Sequence, residues 1–197
     1  ASDVYKRQIK YIYGGEGAVL KGTITNASGQ SREVITEWKL KRVEETHGDY
    51  IEYVYETADE PVRGGLVAKA IYLKEVRAGN SGQAPHTVVV LEGSKQKRLK
   101  NNNARYGFLT SSNRLLEKLT VHFQGSTLRS YAFTYSEGAF NKDVLTGVKQ
   151  LDDKGAEVSY QKFDYYDDVQ AAKGYVPFKE KQEIWNTHND GLDSGFI

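Results

Sequence analysis

The residues best equipped for chemistry in this 197-residue chain are four histidines, His47, His86, His122 and His188, and a scatter of carboxylates. A metal site needs His, Cys or acidic side chains at short, set spacings, so that one turn or strand pair presents several of them to the same ion. No two of these histidines stand at such a spacing, and there is no HExxH pair. His47 falls in a turn and His122 on the polar face of a strand, where a solvated imidazole is expected. Ser, His and Asp all occur, but the Gly-x-Ser-x-Gly elbow that would expose a nucleophile is missing, and composition alone does not make a triad. Gly14-Gly15-Glu16-Gly17 is glycine-rich, yet no helix pattern follows it, so no phosphate cradle is expected there. With no cysteine, disulfide and thiolate chemistry are excluded.

Two acidic clusters offer oxygen ligands of the kind calcium takes. Asp152-Asp153-Lys154-Gly155 is most simply a hairpin turn, and Asn189-Asp190-Gly191-Leu192-Asp193 is a weak calcium candidate; neither has the spacing of an EF-hand loop. Asp164, Asp167 and Asp168 lie close in sequence, but alternation along a strand would send them to opposite faces. From Gly93 to Leu116 the chain carries Lys95, Lys97, Arg98, Lys100, Arg105 and Arg114 with no acid among them, and Tyr106 and Phe108 sit nearby. Clustered cations with stacking aromatics are what a nucleic-acid surface requires. Against this, 27 Lys+Arg are balanced by 26 Asp+Glu, and a net charge of +1 supplies no overall field toward nucleic acid or anionic membrane. The segment is expected to be a solvated loop, or one facing an acidic neighbour, made flexible by Asn101-Asn102-Asn103. No catalytic residue, no metal ligand and no cofactor site is expected, and the chain is not expected to be an enzyme.

The elements follow from period-two alternation. Leu119, Val121 and Phe123 share one strand face, Gln124-Gly125-Ser126 turns, and Tyr131, Phe133 and Tyr135 line the return strand. A second hairpin is expected over 37–56, led by Trp38, Leu40 and Val43, turning at His47-Gly48-Asp49 and returning with Ile51, Tyr53 and Tyr55. A third pairs 144–151 with 157–166 across Asp152-Asp153-Lys154-Gly155. Strands are also expected at 66–76 and 87–91, separated by the polar loop Arg77-Ala78-Gly79-Asn80-Ser81-Gly82. Helix is confined to a turn or two at 167–173; a helical pattern at 115–119 loses to alternation. The expected fold is all-β, an antiparallel, extended and curved sheet of successive hairpins. Its open edges would pair with other chains if exposed, so the isolated fragment is expected to be marginal and completed by neighbours.

Composition fits a soluble globular segment, 39% apolar and 27% charged, and no apolar run approaches the roughly 20 residues a membrane-spanning helix needs. There is no methionine, and Ser2-Asp3-Val4-Tyr5-Lys6-Arg7-Gln8 looks like a translated sequencing-adapter scar. Residues 1–8 are therefore expected to be a non-native leader, 9–173 one β-sheet domain, and 174–197 the truncated start of a following module.

Five pieces of sequence carry a resemblance over roughly Ile9 to Tyr166. Tyr13-Gly14 leads. Then comes Trp38-Lys39-Leu40, Val43, Gly48 and the strand Ile51-Glu52-Tyr53-Val54-Tyr55. Arg114-Leu115-Leu116 follows, then Leu128-Arg129-Ser130-Tyr131-Ala132-Phe133-Thr134-Tyr135. Last come Leu145-Thr146-Gly147-Val148, Gly155 and Phe163-Asp164-Tyr165. In this order they resemble the SpvB-type and insecticidal toxin-complex B proteins, which are associated with Rhs/YD repeats. The turn departs from the family pattern at Glu45 and Asp49, and Val158-Ser159-Tyr160 stands where a proline pair is usual. The resemblance implies a non-catalytic piece of a β-shell that encloses and helps deliver a C-terminal toxic effector. It also implies a secreted or cell-surface location. Its partners would be the FG-GAP-like propeller and Rhs/YD repeats of the same polypeptide and other toxin-complex subunits, with no nucleic acid and no membrane span. The alternative is a stand-alone extracellular module whose Tyr/Trp-lined face binds carbohydrate or a receptor. Alternation of the tyrosines along strands, as in a core face, favours the structural role.

Overall fold

Short alternating runs of aromatic and β-branched residues, punctuated by Gly, Asn and Asp, dictate strands joined by tight turns. A computed structural model shows this arrangement over residues 8–165, the residues it describes. In chain order the strands are β1 Lys10–Tyr13, β2 Val19–Thr25, β3 Ser31–Trp38, β4 Leu40–Glu44, β5 Asp49–Pro61, β6 Val67–Asn80 and β7 Thr87–Glu92. They continue with β8 Asn102–Asn103, β9 Thr110–Ser111, β10 Lys118–Phe123, β11 Ser126–Glu137, β12 Asp143–Leu151 and β13 Glu157–Lys162. Among the described residues there is no α-helix, only a 3₁₀ turn at Ala139–Asn141. Residues through Asp164 form one unit, and a second begins at Tyr165. The expected helix at 167–173 and the module from 174 lie outside the described residues.

The strands build an eleven-stranded open sheet whose main path runs β1-β4-β5-β6-β7-β10-β11-β12-β13, with β2 and β3 forming a separate two-stranded sheet. All pairings are antiparallel except that of β6 with β9, at Lys69 and Thr110. The order of the path explains itself: each hairpin lies beside the next. β10 and β11 are joined by Gln124-Gly125, both at positive φ, the two-residue turn whose twist matches that of the strands. β12 and β13 are joined across Asp152, whose Oδ1 accepts the N–H groups of Lys154 and Ala156 and so shapes the turn. Register shifts interrupt five ladders of the path. Each such bulge bends its strand and adds local twist, which curves an open sheet without closing it.

Three expectations need correction. Trp38 does not lead into β4, because the strand breaks at Lys39. Its N–H bonds Ala18 O, and its carbonyl accepts from Gly14 N, so Lys39 is held at the crossing between the two sheets and Trp38 belongs to β3. The expected polar loop at Arg77 to Gly82 is strand up to Asn80, since polarity there is a face and not a break: Arg77 stands opposite Glu52, and Asn80 opposite Asp49. Asn102–Asn103, expected to be flexible, forms β8 against β9.

The core is small. Ala18, Val19, Leu20, Ala68, Ala70 and Leu115 are the buried apolar residues among those described, and no large side chain is fully buried. They gather where β2 meets β6 and where residues 93–117, the long excursion between β7 and β10, fold back on the sheet. At the base of that excursion a Cβ on Gly93 would stand 2.2 Å from the carbonyl oxygen of Leu115. That contact is with backbone and has no flexible end to yield. Gly93→Ala is therefore expected to destabilise the fold by about 1–3 kcal/mol, read as a lower urea midpoint at unchanged slope.

Candidate interaction surface

The excursion is where the chain's unpaired basic residues are spent. Arg114 reaches the far end of β5, where its Nε donates to Glu60 at 2.8 Å and its Nη1 to Glu56 at 2.8 Å. Its guanidinium lies over the Tyr72 ring, 4.7 Å from the centroid. Glu60 is 4% exposed, and Gln96 Nε2 donates to its other oxygen at 3.0 Å. Burial works against the charged form of Arg114, but the hydrogen bonds of Glu56 and Glu60 outweigh it, and its pKa is raised above the ordinary value. Asn113, 2% exposed, donates its backbone N–H to the Tyr72 hydroxyl oxygen, accepts from Asn101 N and donates its amide to Asn102. A buried carboxylate is stable only when its oxygens are answered, and both oxygens of Glu60 are.

A second anchor holds the excursion to β12. Arg98 N donates to Asp143 Oδ2 at 2.7 Å, and its guanidinium donates to Asp143 Oδ1. The Asp143 side chain is 4% exposed. At the base, Glu117 accepts from Ser94 N and Oγ and from Lys95 N. These bonds, led by the two backbone N–H groups, hold its carboxyl below the ordinary range. At the tip, the Phe108 ring lies so close to Gly22 of β2 that a Cβ there would stand 2.4 Å away. The expectation of a solvated loop, or one turned to an acidic neighbour, is thus corrected for Arg98 and Arg114: their acids lie in this same chain, on β5 and β12. No local signal marked Glu60 or Asp143, since each is far in sequence from its cation. The clue was a basic run without acids of its own.

The two faces of the sheet differ sharply. Residues directly opposite in an antiparallel pair share a face, so the registers can be followed from strand to strand. Tyr11 continues through Val43 and Ile51 to Ala78. Tyr53 continues through Val76 and Val89 to Val121. Leu91 continues through Leu119 to Tyr131, and Phe133 meets Val148. Along these rows the face is apolar, broken by Arg129 opposite Val121, Gln150 opposite Tyr131 and, toward the far end of β5, Asp59 opposite Lys69. None of the apolar residues named is buried, and Tyr11 is 57% and Ile51 40% exposed. Tyr55 and Tyr135 lie on it too and donate their hydroxyls to Leu40 O and Leu116 O at 2.8 and 2.7 Å. Desolvation raises the pKa of both, helped at Tyr55 by the neighbouring Tyr53 and at Tyr135 by the carboxylates of Glu117 and Asp143.

The opposite face carries charge in register. Lys10 stands opposite Glu44, Arg42 opposite Glu52, Glu52 opposite Arg77 and Lys118 opposite Glu92. On this face lie the buried Glu60, Ala68, Ala70, Thr120 and Ser130. The covered face is therefore the polar one. A half-exposed apolar face of this breadth fits a surface that meets another body.

The other candidates fall where expected or contribute nothing to a site. His47 is exposed in its turn, His86 bonds Thr87 Oγ1, and His122 bonds Thr127 Oγ1. His188 and 189–193 lie outside the described residues. Among the described residues no group of His, Asp and Glu could hold a metal ion. Gly14-Gly15-Glu16-Gly17 turns from β1 to β2, and Gly15, Glu16, Gly17 and the exposed Trp38 border an open cavity of about 940 Å³ with Asp59 and Lys69. Among the described residues no helix is long and apolar enough to cross a membrane.

No protein-family model matches the chain, and no curated protein matches it in sequence. Solved structures do. The crystal structure of TcdB2-TccC3-TEV superposes with a TM-score of 0.55 at 14% identity, over 81% of this chain and 10% of that one. The N-terminal domain of the effector protein SpvB from Salmonella typhimurium strain LT2 gives 0.52 at 15%, over 73% of this chain and 58% of that one. The Photorhabdus luminescens Tc holotoxin pore with TccC3-D651A gives 0.54 at 16%, over 80% and 10%.

The chain has a toxin-complex/SpvB-like fold. Its identity to those structures is low, so the likeness is one of fold, and the chain spans a small part of each toxin-complex chain.

Within this SpvB-like fold, two measurements test the anchors. Arg114→Met removes the cation from a carboxylate that stays buried, and is expected to cost about 3 kcal/mol, the low end for a broken buried pair because Arg114 keeps some solvent. Adding Glu60→Leu should recover much of that loss in urea unfolding. For Glu117 the folded pKa is lowered, so its stabilisation is present above the unfolded carboxylate value of about 4.3. It is lost as pH falls through the folded one. Glu117→Gln is expected to flatten the acid limb of stability against pH and leave the alkaline limb unchanged.

Proposed function

We propose that this chain is a non-catalytic structural segment of a large bacterial secreted toxin-type protein. Residues 9–173 form a panel of the β-shell that encloses and helps deliver a C-terminal toxic effector. Residues 174–197 begin the propeller-like module that follows. The observation that carries this reading is the broad, largely apolar face that runs from Tyr11 to Tyr131 and Phe133, none of whose named apolar residues is buried. A panel needs such a face, because it is completed by the rest of the polypeptide. The fold shared with toxin-complex chains and the SpvB N-terminal domain supports the same reading. The partners are then the propeller and Rhs/YD repeats of the same polypeptide and other toxin-complex subunits, in a secreted or cell-surface protein.

The deciding experiment is to read the parent open frame on either side of the chain and determine the structure of the protein it encodes. Propeller repeats, Tyr-Asp repeats and a variable tail are expected, with Tyr53, Val89 and Phe133 covered by those neighbours. A parent protein that leaves this face in water, together with saturable sugar binding on a glycan array, would replace the panel with a carbohydrate-binding module. The chain alone is expected to bind a hydrophobic dye and to self-associate with rising concentration. The pair Val121→Glu and Phe133→Glu should suppress both, as read by fluorescence and by sedimentation.

A further inference from the structure

We propose that the pocket bounded by Lys97, Lys100 and Lys142 is a docking site for an acidic peptide segment with an aliphatic anchor. The pocket opens where the excursion crosses the start of β12. It measures about 450 Å³ and is lined by these three lysines with Leu99, Leu115 and Asp143 among its walls.

Its charge is unbalanced by construction. Asp143, the acid in the wall, has both oxygens engaged by Arg98 and a side chain only 4% exposed. Glu137 is also drawn to Arg98, at 3.6 Å. The lysines have no such partners. Lys97 Nζ donates to the Ser112 carbonyl at 2.9 Å and Lys100 Nζ to Gln96 Oε1 at 2.7 Å, both neutral acceptors. Lys142 makes no ion pair or side-chain hydrogen bond among the described residues. Elsewhere on this sheet cations meet carboxylates across the ladder; here three ammonium groups share one cavity and meet none. A carboxylate-bearing partner would gain at each of them, chiefly in association rate and specificity.

The apolar wall selects the class of polyanion. Leu99 is 52% exposed and Leu115 is buried at the floor, so a side chain of a peptide finds contact there that a phosphate chain does not use. Nucleic acid also lacks its stacking platform: Phe108 is packed on Gly22, and no aromatic ring lines the pocket.

The test uses the full chain and a fluorescein-labelled acidic pentapeptide, Glu-Asp-Leu-Asp-Glu, followed by anisotropy at low and at raised salt. Saturable binding is expected, weaker at raised salt. It should fall by about tenfold or more with Lys100→Glu combined with Lys142→Glu. Both positions are exposed, and an unchanged unfolding midpoint shows that the variant is folded. A control, Lys154→Glu in the remote β12–β13 turn, should leave the affinity unchanged. Replacing the central leucine of the probe by serine should weaken it. The proposal is overturned by absence of saturable binding, by equal loss in the Lys154 control, by indifference to the leucine, or by an oligothymidylate of equal charge binding as tightly as the peptide.

Discussion

A carboxylate buried in a sheet and a guanidinium carried to it from a distant loop set most of the architecture described above. Glu60 sits at the far end of β5, where β7 no longer accompanies β6 and the sheet would otherwise be a bare ledge. Leaving it there unpaired would cost several kcal/mol. Arg114 arrives with the excursion, and with it come β9 on the vacant edge of β6, Asn113 beneath Tyr72, and Phe108 against the β2–β3 hairpin. That ion pair therefore works beside a single β6–β9 bridge to fasten the excursion to the sheet. Arg98 and Asp143 repeat the device on β12, so the excursion is fastened to both halves of the sheet. The small apolar core does not have to hold these parts together alone.

The same constraint explains which face is covered. The buried carboxylate of Glu60 on the polar face must be closed by groups that answer it, and Arg114 and Gln96 of the same chain supply them. An apolar face requires no specific answer; any apolar body of suitable shape will do. That division suits a segment whose polar side is finished within its own sequence and whose apolar side waits on a neighbour. Tyr55 and Tyr135 fit it, since their hydroxyls are already bonded to backbone carbonyls and would not have to find new partners when water is removed.

Much of this was legible in the sequence, and the limits have physical reasons. The hairpins at Gln124-Gly125 and Asp152–Gly155 could be read because turn chemistry and alternation agree over a few residues. The all-β, open, antiparallel architecture followed from them. The β2–β3 sheet was not read, because its strands mix Lys, Gly and Thr with too few apolar residues to show a period. The break at Lys39 was invisible, since it depends on Ala18 and Gly14, more than twenty positions away. Arg77 to Asn80 looked like a loop because strand polarity and loop polarity are alike in a single sequence. For the surface, alternation revealed that an apolar face exists, but only the registers show that the faces of successive strands join into one. The pairing of Arg114 with Glu60 had no local mark at all.

The edges and the face of the sheet differ in how they would meet a neighbour. β1 is four residues long, carries Lys10 and is bulged against β4. β13 is exposed along its length, ends in Lys162 and is bulged against β12. Short length, lysine and bulges are the devices by which edge strands resist uncontrolled pairing. The face has no comparable device. Over its middle its rows run Tyr, Val, Ile and Leu, with charge at Asp59 opposite Lys69 toward the far end of β5 and at Arg129 opposite Val121. If the edges were the principal point of attachment, the opposite pattern would be expected: clean, long edges and a face broken by charge. On the panel reading proposed above, the distribution favours neighbours over the sheet more than beside it.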